Sequence, residues 1–249
     1  MEAWFDILTP YMLLLGRVSA FYGVMPLLSW EAVPLRVRAA LALWTTIFFA
    51  VVFPPGNPAA HGLIHVAVLM GTEILYGVAL GMAANLVYLS VQQGARIAAV
   101  QMGLTDAEII DPVTQEGSEP MSLLLELVFA LFFLSVGGHR MLLGLMQRSF
   151  VAYPVGSAPA PEAMAQGVLA AGSTMLVFAL KFAAPILAAF LVLAVVLAVL
   201  ARVLPEMNIL LASFPLRIGL GLFLALAMIP TLETFATEIA RWMGRYLLT

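Results

Sequence analysis

The residues of this chain that could do chemistry are few, and they are not grouped as a metal site requires. His61 and His65 are four positions apart and would share one face of a helix. A structural zinc site needs about four ligands, and no acidic residue or further histidine lies at a suitable spacing. The chain has no cysteine, which excludes disulfides, thiol catalysis and thiolate ligands. The sequence therefore predicts no metal site.

Catalytic patterns are also missing from the sequence. Ser149 and Ser213 have no histidine at the spacing expected of a nucleophile and its base. His139 follows two glycines and is interpreted as a helix-end or packing residue. No glycine-rich phosphate loop occurs, because Gly77 and Gly81 fit instead the small-xxx-small pattern of closely packed helices. We therefore predict that the protein is not an enzyme and binds no cofactor.

The acidic residues are concentrated in one segment, residues 101–120, which contains neither Lys nor Arg. Its carboxylates are Asp106, Glu108, Asp111, Glu116 and Glu119. A connection of about 20 residues with little periodicity is longer than most, and such loops are often functional. Composition alone favours a solvated acidic loop, with a functional loop as the alternative.

The composition is that of a membrane protein. Hydrophobic residues make up 63% of the 249 residues and charged residues 10%, against about 25% charged in a typical soluble domain. The net charge of -3 and the lack of a long basic tract give no indication of a nucleic-acid partner. The first residues carry neither a basic region nor a cleavage site, so we expect the N-terminus to be retained.

Six apolar stretches predict an all-α, polytopic membrane fold of about six long, partly broken helices. The stretches lie near residues 7–28, 39–53, 63–91, 121–146, 168–201 and 209–230. The second has about 15 residues, fewer than the roughly 20 that a span requires, and the fifth is longer than necessary. Pro26, Pro185 and Pro215 are predicted to break or kink helices, which neighbouring protein must then compensate.

Charged residues interrupt these stretches. They are Arg17, Glu73, Glu126, Arg140 and Lys181. A charge facing lipid is costly, so each is expected to face protein or a water-filled lumen. The pattern indicates a subunit that is buried in a larger assembly.

A membrane hairpin is predicted near the C-terminus. Its two apolar arms, residues 183–201 and 209–230, are separated by a polar turn that contains Arg202, Pro205, Glu206 and Asn208. Phe214 and Pro215 follow early in the second arm. Residues 231–249 form an amphipathic pattern that is too polar to span, and we expect this helix at the membrane interface or against a partner.

A second pattern lies in the third stretch. Glu73, Gly77, Gly81 and Asn85 recur every four residues and would form one stripe on a helix. We predict that this stripe packs closely against a neighbouring helix. The alternative is that the two glycines merely fill space.

Several short motifs occur in an order that resembles the FliR/SctT family of type III secretion export-gate subunits over nearly the full length. The matching residues are Gln101-Met102-Gly103, Asp111-Pro112, Gly138-His139, Ser149-Phe150, Pro154-Val155-Gly156, Ala184-Pro185, Arg202, Pro205, Asn208 and Phe214-Pro215. The aspartate-proline pair is more similar to the flagellar branch. One departure is Arg96, which stands where flagellar relatives often have a glutamate.

The resemblance implies a structural subunit of the flagellar export gate. Such a subunit, in the inner membrane within the flagellar basal body, would join FliP-like and FliQ-like proteins around a pore for unfolded export substrates. An FlhB-like protein would lie on the cytoplasmic side. Residues 1–182 would correspond to a FliP-like part and residues 183–230 to a FliQ-like hairpin.

The resemblance also implies that residues 101–120 are a plug that closes the pore. The aliphatic residues would seal it and the glycines would let the segment swing. The implied plug residues are Met102, Gly103, Leu104, Ile109, Ile110, Asp111, Pro112, Val113 and Gly117.

The competing interpretation is a secondary transporter of a small solute. Broken apolar helices with interior charges also form transporter sites near the bilayer midplane. Transporters commonly contain two related halves, and this sequence shows no internal repeat. Copurification with FliP-like and FliQ-like chains would separate the two interpretations.

Overall fold

The computed structural model describes residues 2–26, 33–56, 62–103, 120–204 and 209–246. These residues form seven helices and no strand. The helices are α1 (Glu2–Val24), α2 (Leu35–Val52), α3 (Leu63–Met102), α4 (Pro120–Ser135), α5 (Gly138–Ala152), α6 (Pro161–Val203) and α7 (Ile209–Tyr246). The all-α prediction is therefore confirmed.

The third and fourth predicted stretches differ from the helices that the structure shows. α3 contains 40 residues and continues to Met102, well beyond the predicted end near residue 91. The fourth stretch consists of two helices, α4 and α5, which are separated at Val136 and Gly137. Gly137 has a φ of +87°, a backbone conformation that favours glycine, so the break is specified locally.

The C-terminal half of the chain is dominated by two long helices. Neither Pro185 in α6 nor Pro215 in α7 ends its helix. Residues 231–246, expected as a separate amphipathic helix, continue α7 without interruption. Leu232 and Ile239 on the apolar side of this extension are fully buried within the chain. The apolar periodicity therefore reflects packing within this chain.

Several helices can span a membrane, which confirms the polytopic prediction. By length and apolar composition the candidates are α2, α3, α6 and the part Ser213–Ile239 of α7. The broken pair of α4 and α5 passes the same test when its two helices are taken together. At most 28% of the residues in each single-helix candidate window are buried within the chain, so most of this apolar surface faces outward.

The chain divides into two compact units. One comprises residues 1–88, 137–174 and 239–249, and its core includes Leu13, Val18 and Phe21 of α1 together with Leu142 and Met146 of α5. The other comprises residues 89–136 and 175–238. Its core is formed by buried side chains of four helices: Ala95, Ala98 and Met102 of α3, Leu125, Phe129 and Phe133 of α4, Phe182 and Ile186 of α6, and Phe235 of α7.

Candidate functional site

A buried ion pair joins α1 to α3 in the first unit. Arg17 donates from Nε to Oε2 of Glu73 and from Nη2 to Oε1, the latter at 2.9 Å. Both side chains are fully buried. The planar guanidinium and the carboxylate thus meet through two parallel hydrogen bonds, the geometry that makes arginine the suitable cation for such a site.

The same pair fixes the backbone where α5 ends. Nη1 of Arg17 donates to the carbonyl of Ser149 at 3.2 Å and to that of Tyr153 at 2.8 Å. The N–H of Gly156 donates to Oε1 of Glu73 at 2.7 Å. Carbonyls at the end of a helix lack some of their helical partners and are a favourable site for a cation. We call Arg17, Glu73 and these three backbone groups the clasp.

Aromatic rings enclose the guanidinium of the clasp. The Cζ atom of Arg17 lies 4.8 Å from the ring centroid of Tyr76 and 4.8 Å from that of Phe150. A desolvated cation over an aromatic face gains about 2 kcal/mol or more. The rings therefore help to offset the loss of hydration that burial imposes.

The sequence singled out several residues of the clasp but did not predict that they contact one another. Arg17 and Glu73 were expected to face protein or a lumen, and the structure shows that they face each other. Nothing in the sequence indicated that Ser149-Phe150 and the family motif that ends in Gly156 take part in this site. The Ser149 carbonyl, the Phe150 ring and the Gly156 N–H complete the clasp. Gly156 has a φ of +89°, which explains glycine at that position.

The stripe on α3 faces α1. A Cβ atom at Gly77 would fall far inside van der Waals distance of the Arg17 carbonyl, and it would lie 3.0 Å from Cβ of Ala20. At Gly81 it would lie 3.0 Å from the Phe21 carbonyl and 3.3 Å from Cβ of Val24. The two backbones therefore approach closely, and the neighbour belongs to this same chain. Asn85, the last member of the stripe, is half-buried.

Of the predicted plug segment, the structure describes residues 101–103, at the end of α3, and Pro120, the first residue of α4. Met102 is the last residue of α3 and is fully buried. Gly103 has a φ of +73°, and its N–H donates to the Val100 carbonyl at 3.0 Å. Leu104, Ile109, Ile110, Asp111, Pro112, Val113 and Gly117 lie outside the described residues.

α6 and α7 pack against each other in the second unit, just before the first predicted arm of the hairpin and just after the second. The rings of Phe182 and Phe235 meet edge to face with centroids 5.6 Å apart, and Nζ of Lys181 lies 3.2 Å from Oε1 of Glu238. Arg202 is exposed in the last turn of α6, and Phe214 and Pro215 are exposed in α7. Pro205, Glu206 and Asn208 of the turn lie outside the described residues.

Among the described residues there is no group of three or more potential metal ligands. His65 and His139 are exposed, and His61 lies outside the described part of the chain. Glu126, another charge within an apolar stretch, accepts a hydrogen bond at 2.9 Å from Nε2 of Gln92.

The described geometry is that of a helical membrane subunit, and comparison with known proteins identifies its family. The profile of the family described as bacterial export proteins, family 1, matches residues 8–242. The chain belongs to this family, the FliR/SctT family. It is therefore a multi-pass membrane component of a bacterial flagellar or type III secretion export apparatus.

Curated relatives of the FliR/SctT family cover almost the whole chain. The flagellar biosynthetic protein FliR of Escherichia coli (strain K12) is 28% identical over 238 residues, which are 96% of this chain and 91% of that protein. The FliR of Bacillus subtilis (strain 168) is 28% identical over 225 residues, 89% of this chain and 86% of that protein. The Yop proteins translocation protein T of Yersinia pestis is 28% identical over 215 residues, 84% of this chain and 82% of that protein.

Proposed function

We propose that this FliR/SctT family member is a structural, non-enzymatic subunit of the flagellar export gate in the bacterial inner membrane. In this proposal it assembles with FliP-like and FliQ-like subunits around a pore that passes unfolded flagellar proteins. An FlhB-like protein binds the assembly from the cytoplasmic side. Residues 101–120 close the pore at rest.

The observation that carries the assembly proposal is the amount of apolar helix surface left uncovered by the chain itself. Along α6 the exposed apolar side chains include Leu191, Val192, Val195, Val196 and Val199. α6 has 43 residues and α3 has 40, so each measures about 60 Å along its axis. The hydrocarbon core of a bilayer is only about 30 Å thick. Lipid can cover about half of such a helix, and partner subunits would cover the remainder.

The plug proposal follows from what an open conduit would do to the cell. A pore that is wide enough for an unfolded chain would leak ions at rest, and a membrane that carries a proton gradient cannot tolerate this. A loop is suited to close it, because few contacts must break when it is displaced. Gly103 provides a backbone position at which the chain leaves α3.

Deletion of residues 104–117 tests the plug. We expect the deleted chain to assemble, because the described helices retain their contacts, while cells that contain it leak ions at rest and export abnormally. The measurement is membrane potential in cells with matched amounts of assembled complex. If the deletion variant assembles and leaks no more ions than the wild type, the plug proposal is wrong, and the segment is better explained as a loop that contacts another protein.

Restoration of motility tests the wider proposal against the transporter alternative. A strain that lacks this chain should not export flagellar proteins, and supplying the chain should restore both export and motility. A secondary transporter predicts normal flagella in the same strain together with a defect in uptake of a solute. Normal flagella would contradict the proposal.

A further inference from the structure

Two glycines set the position of the last part of α3 in the second unit. Gly94 of α3 lies against α6, and Gly221 of α7 lies against the end of α3. α6 and α7 therefore each make one close contact with the last part of α3. These two contacts differ in the kind of atom that occupies the space above the glycine.

The contact at Gly94 is rigid. A Cβ atom there would lie 2.7 Å from Cδ1 of Phe182, 2.9 Å from the Ala179 carbonyl oxygen and 3.1 Å from Cβ of Phe182. Two of these three atoms are a backbone oxygen and a Cβ, which cannot move without moving α6 itself. The contact fixes α3 against α6 at this level.

The contact at Gly221 is made by a flexible side chain. A Cβ atom there would lie 2.5 Å from Cγ and 2.7 Å from Sδ of Met102, and closer still to its Cε atom. The end of the Met102 side chain therefore occupies the space that glycine leaves open on α7. Methionine is unbranched and changes rotamer easily, so it can leave this notch while both helices keep their shape.

The contact between Met102 and Gly221 lies at the C-terminal end of α3. Met102 is fully buried and is the last residue of α3, and the left-handed conformation of Gly103 follows at once. The notch on α7 thus holds the point where the chain leaves the helix. The contact at Gly94 lies about 12 Å earlier along the same helix.

We propose that Met102 in the notch of Gly221 is a releasable latch that couples α7 to the resting state of the gate. With the latch engaged, the exit of α3 is fixed and the pore is closed. A shift of α7 frees Met102, and α3 then pivots about Gly94. This inference rests on the proposed plug function of residues 101–120.

A reversible cross-link tests the latch, because the chain contains no cysteine. The double variant Met102→Cys/Gly221→Cys is assembled in the complete complex and oxidised with copper phenanthroline. We expect a disulfide to form at rest and export to fall by about tenfold or more, with recovery after reduction. The matched control is Met102→Cys/Gly219→Cys, because a Cβ at Gly219 has no neighbour within 4 Å and should not cross-link.

The outcomes of the cross-linking test are distinct. Failure to cross-link in the assembled complex, or cross-linking with undiminished export, overturns the latch. If the double variant does not assemble, the single variant Met102→Ala provides the test. The latch predicts that its resting ion leak is about tenfold above that of the wild type. A resting leak equal to that of the wild type overturns the latch.

The deletion of residues 104–117 separates failure of the latch from failure of the plug. If the deletion variant leaks while the latch variants do not, the plug stands and the latch fails. If the deletion variant is tight, the plug fails, and the latch that rests on it falls as well.

Discussion

At the scale of single residues, the clasp explains how two opposite charges persist inside an apolar core. Removing water from an isolated charge costs several kcal/mol, so each member depends on the other. Arg17 contributes four hydrogen bonds and Glu73 accepts three in all, including that from Gly156. The clasp is therefore expected to be sensitive to the loss of either charge.

Glu73→Gln should destabilise the chain by about 3–5 kcal/mol, because it leaves the guanidinium buried without a counter-charge. The measurement is thermal unfolding of the chain in detergent, followed by circular dichroism. Glu162→Gln is the matched control, since Glu162 is exposed in the first turn of α6 and should change stability by about 1 kcal/mol or less. Equal effects of the two variants would show that the clasp does not contribute to stability.

Arg17→Lys tests whether the shape of the cation matters as well as its charge. An ammonium group cannot reach both oxygens of Glu73 and the two carbonyls with a planar fork, so at least one buried acceptor loses its partner. We expect a loss of about 1–3 kcal/mol in the same unfolding measurement. Wild-type stability would show that charge alone is sufficient.

The sequence predicted that Arg17 and Glu73 avoid lipid, because charge within an apolar stretch carries that information directly. It did not predict that they pair, since they are 56 positions apart and other charges were equally available. Glu126 shows the same limit. Its partner is Gln92, an uncharged residue of another helix that no charge pattern could have indicated.

At the scale of helices, close approach of α1 and α3 brings Arg17 within reach of Glu73. Gly77 lies against the carbonyl of Arg17 itself, so the packing of the two backbones and the ion pair share a residue. The stripe was visible in the sequence as a repeat of four. The sequence did not show which helix would be the neighbour, because a pattern of small residues predicts a close contact without identifying the partner.

Gly81→Leu should separate α1 from α3 and destabilise the chain by about 2 kcal/mol or more, because the added atoms have no space beside Phe21 and Val24. Resistance of the purified chain to trypsin provides the measurement. Gly71→Leu on the same helix is the control, since a Cβ there has no neighbour within 4 Å. Similar digestion of both variants would contradict a close contact at Gly81.

The orientation of the hairpin can be measured in intact cells. We predict that the turn between α6 and α7 faces the cytoplasm, because Arg202 adjoins it and positive residues favour that side. Single cysteines introduced at Glu206 or Asn208 should then resist an impermeant maleimide until the cells are opened. Labelling in intact cells would place the turn on the opposite side of the membrane.

The sequence predicted where helices occur more accurately than it predicted where they begin and end. Residues 92–102 extend α3 although Gln92, Gln93, Arg96 and Gln101 interrupt its apolar character, so hydropathy alone ended the helix too early. The break before α5 depends on the backbone of Gly137, which an apolar count does not register. The sequence predicted a separate helix after residue 230, because the residues there become amphipathic. In the structure the same helix, α7, continues to Tyr246.

At the scale of the whole molecule, the chain has the features of a subunit of a larger membrane assembly. Its long helices leave most of their apolar surface uncovered within the chain. Its family is that of bacterial export proteins, and both the flagellar biosynthetic protein FliR of Escherichia coli and the Yop proteins translocation protein T of Yersinia pestis align over more than four fifths of its length. The composition identified a membrane protein, but the family required the joint order of several motifs, each of them weak alone.

The central claim, that this chain is a subunit of an export gate, is tested most directly by purification from its native membrane. A tagged chain extracted in mild detergent should bring with it the FliP-like and FliQ-like proteins of the same organism in a single complex of constant composition. Gly81→Leu should lower the yield of that complex, whereas Gly71→Leu should not. Purification of the wild-type chain alone, or only with copies of itself, would contradict the account.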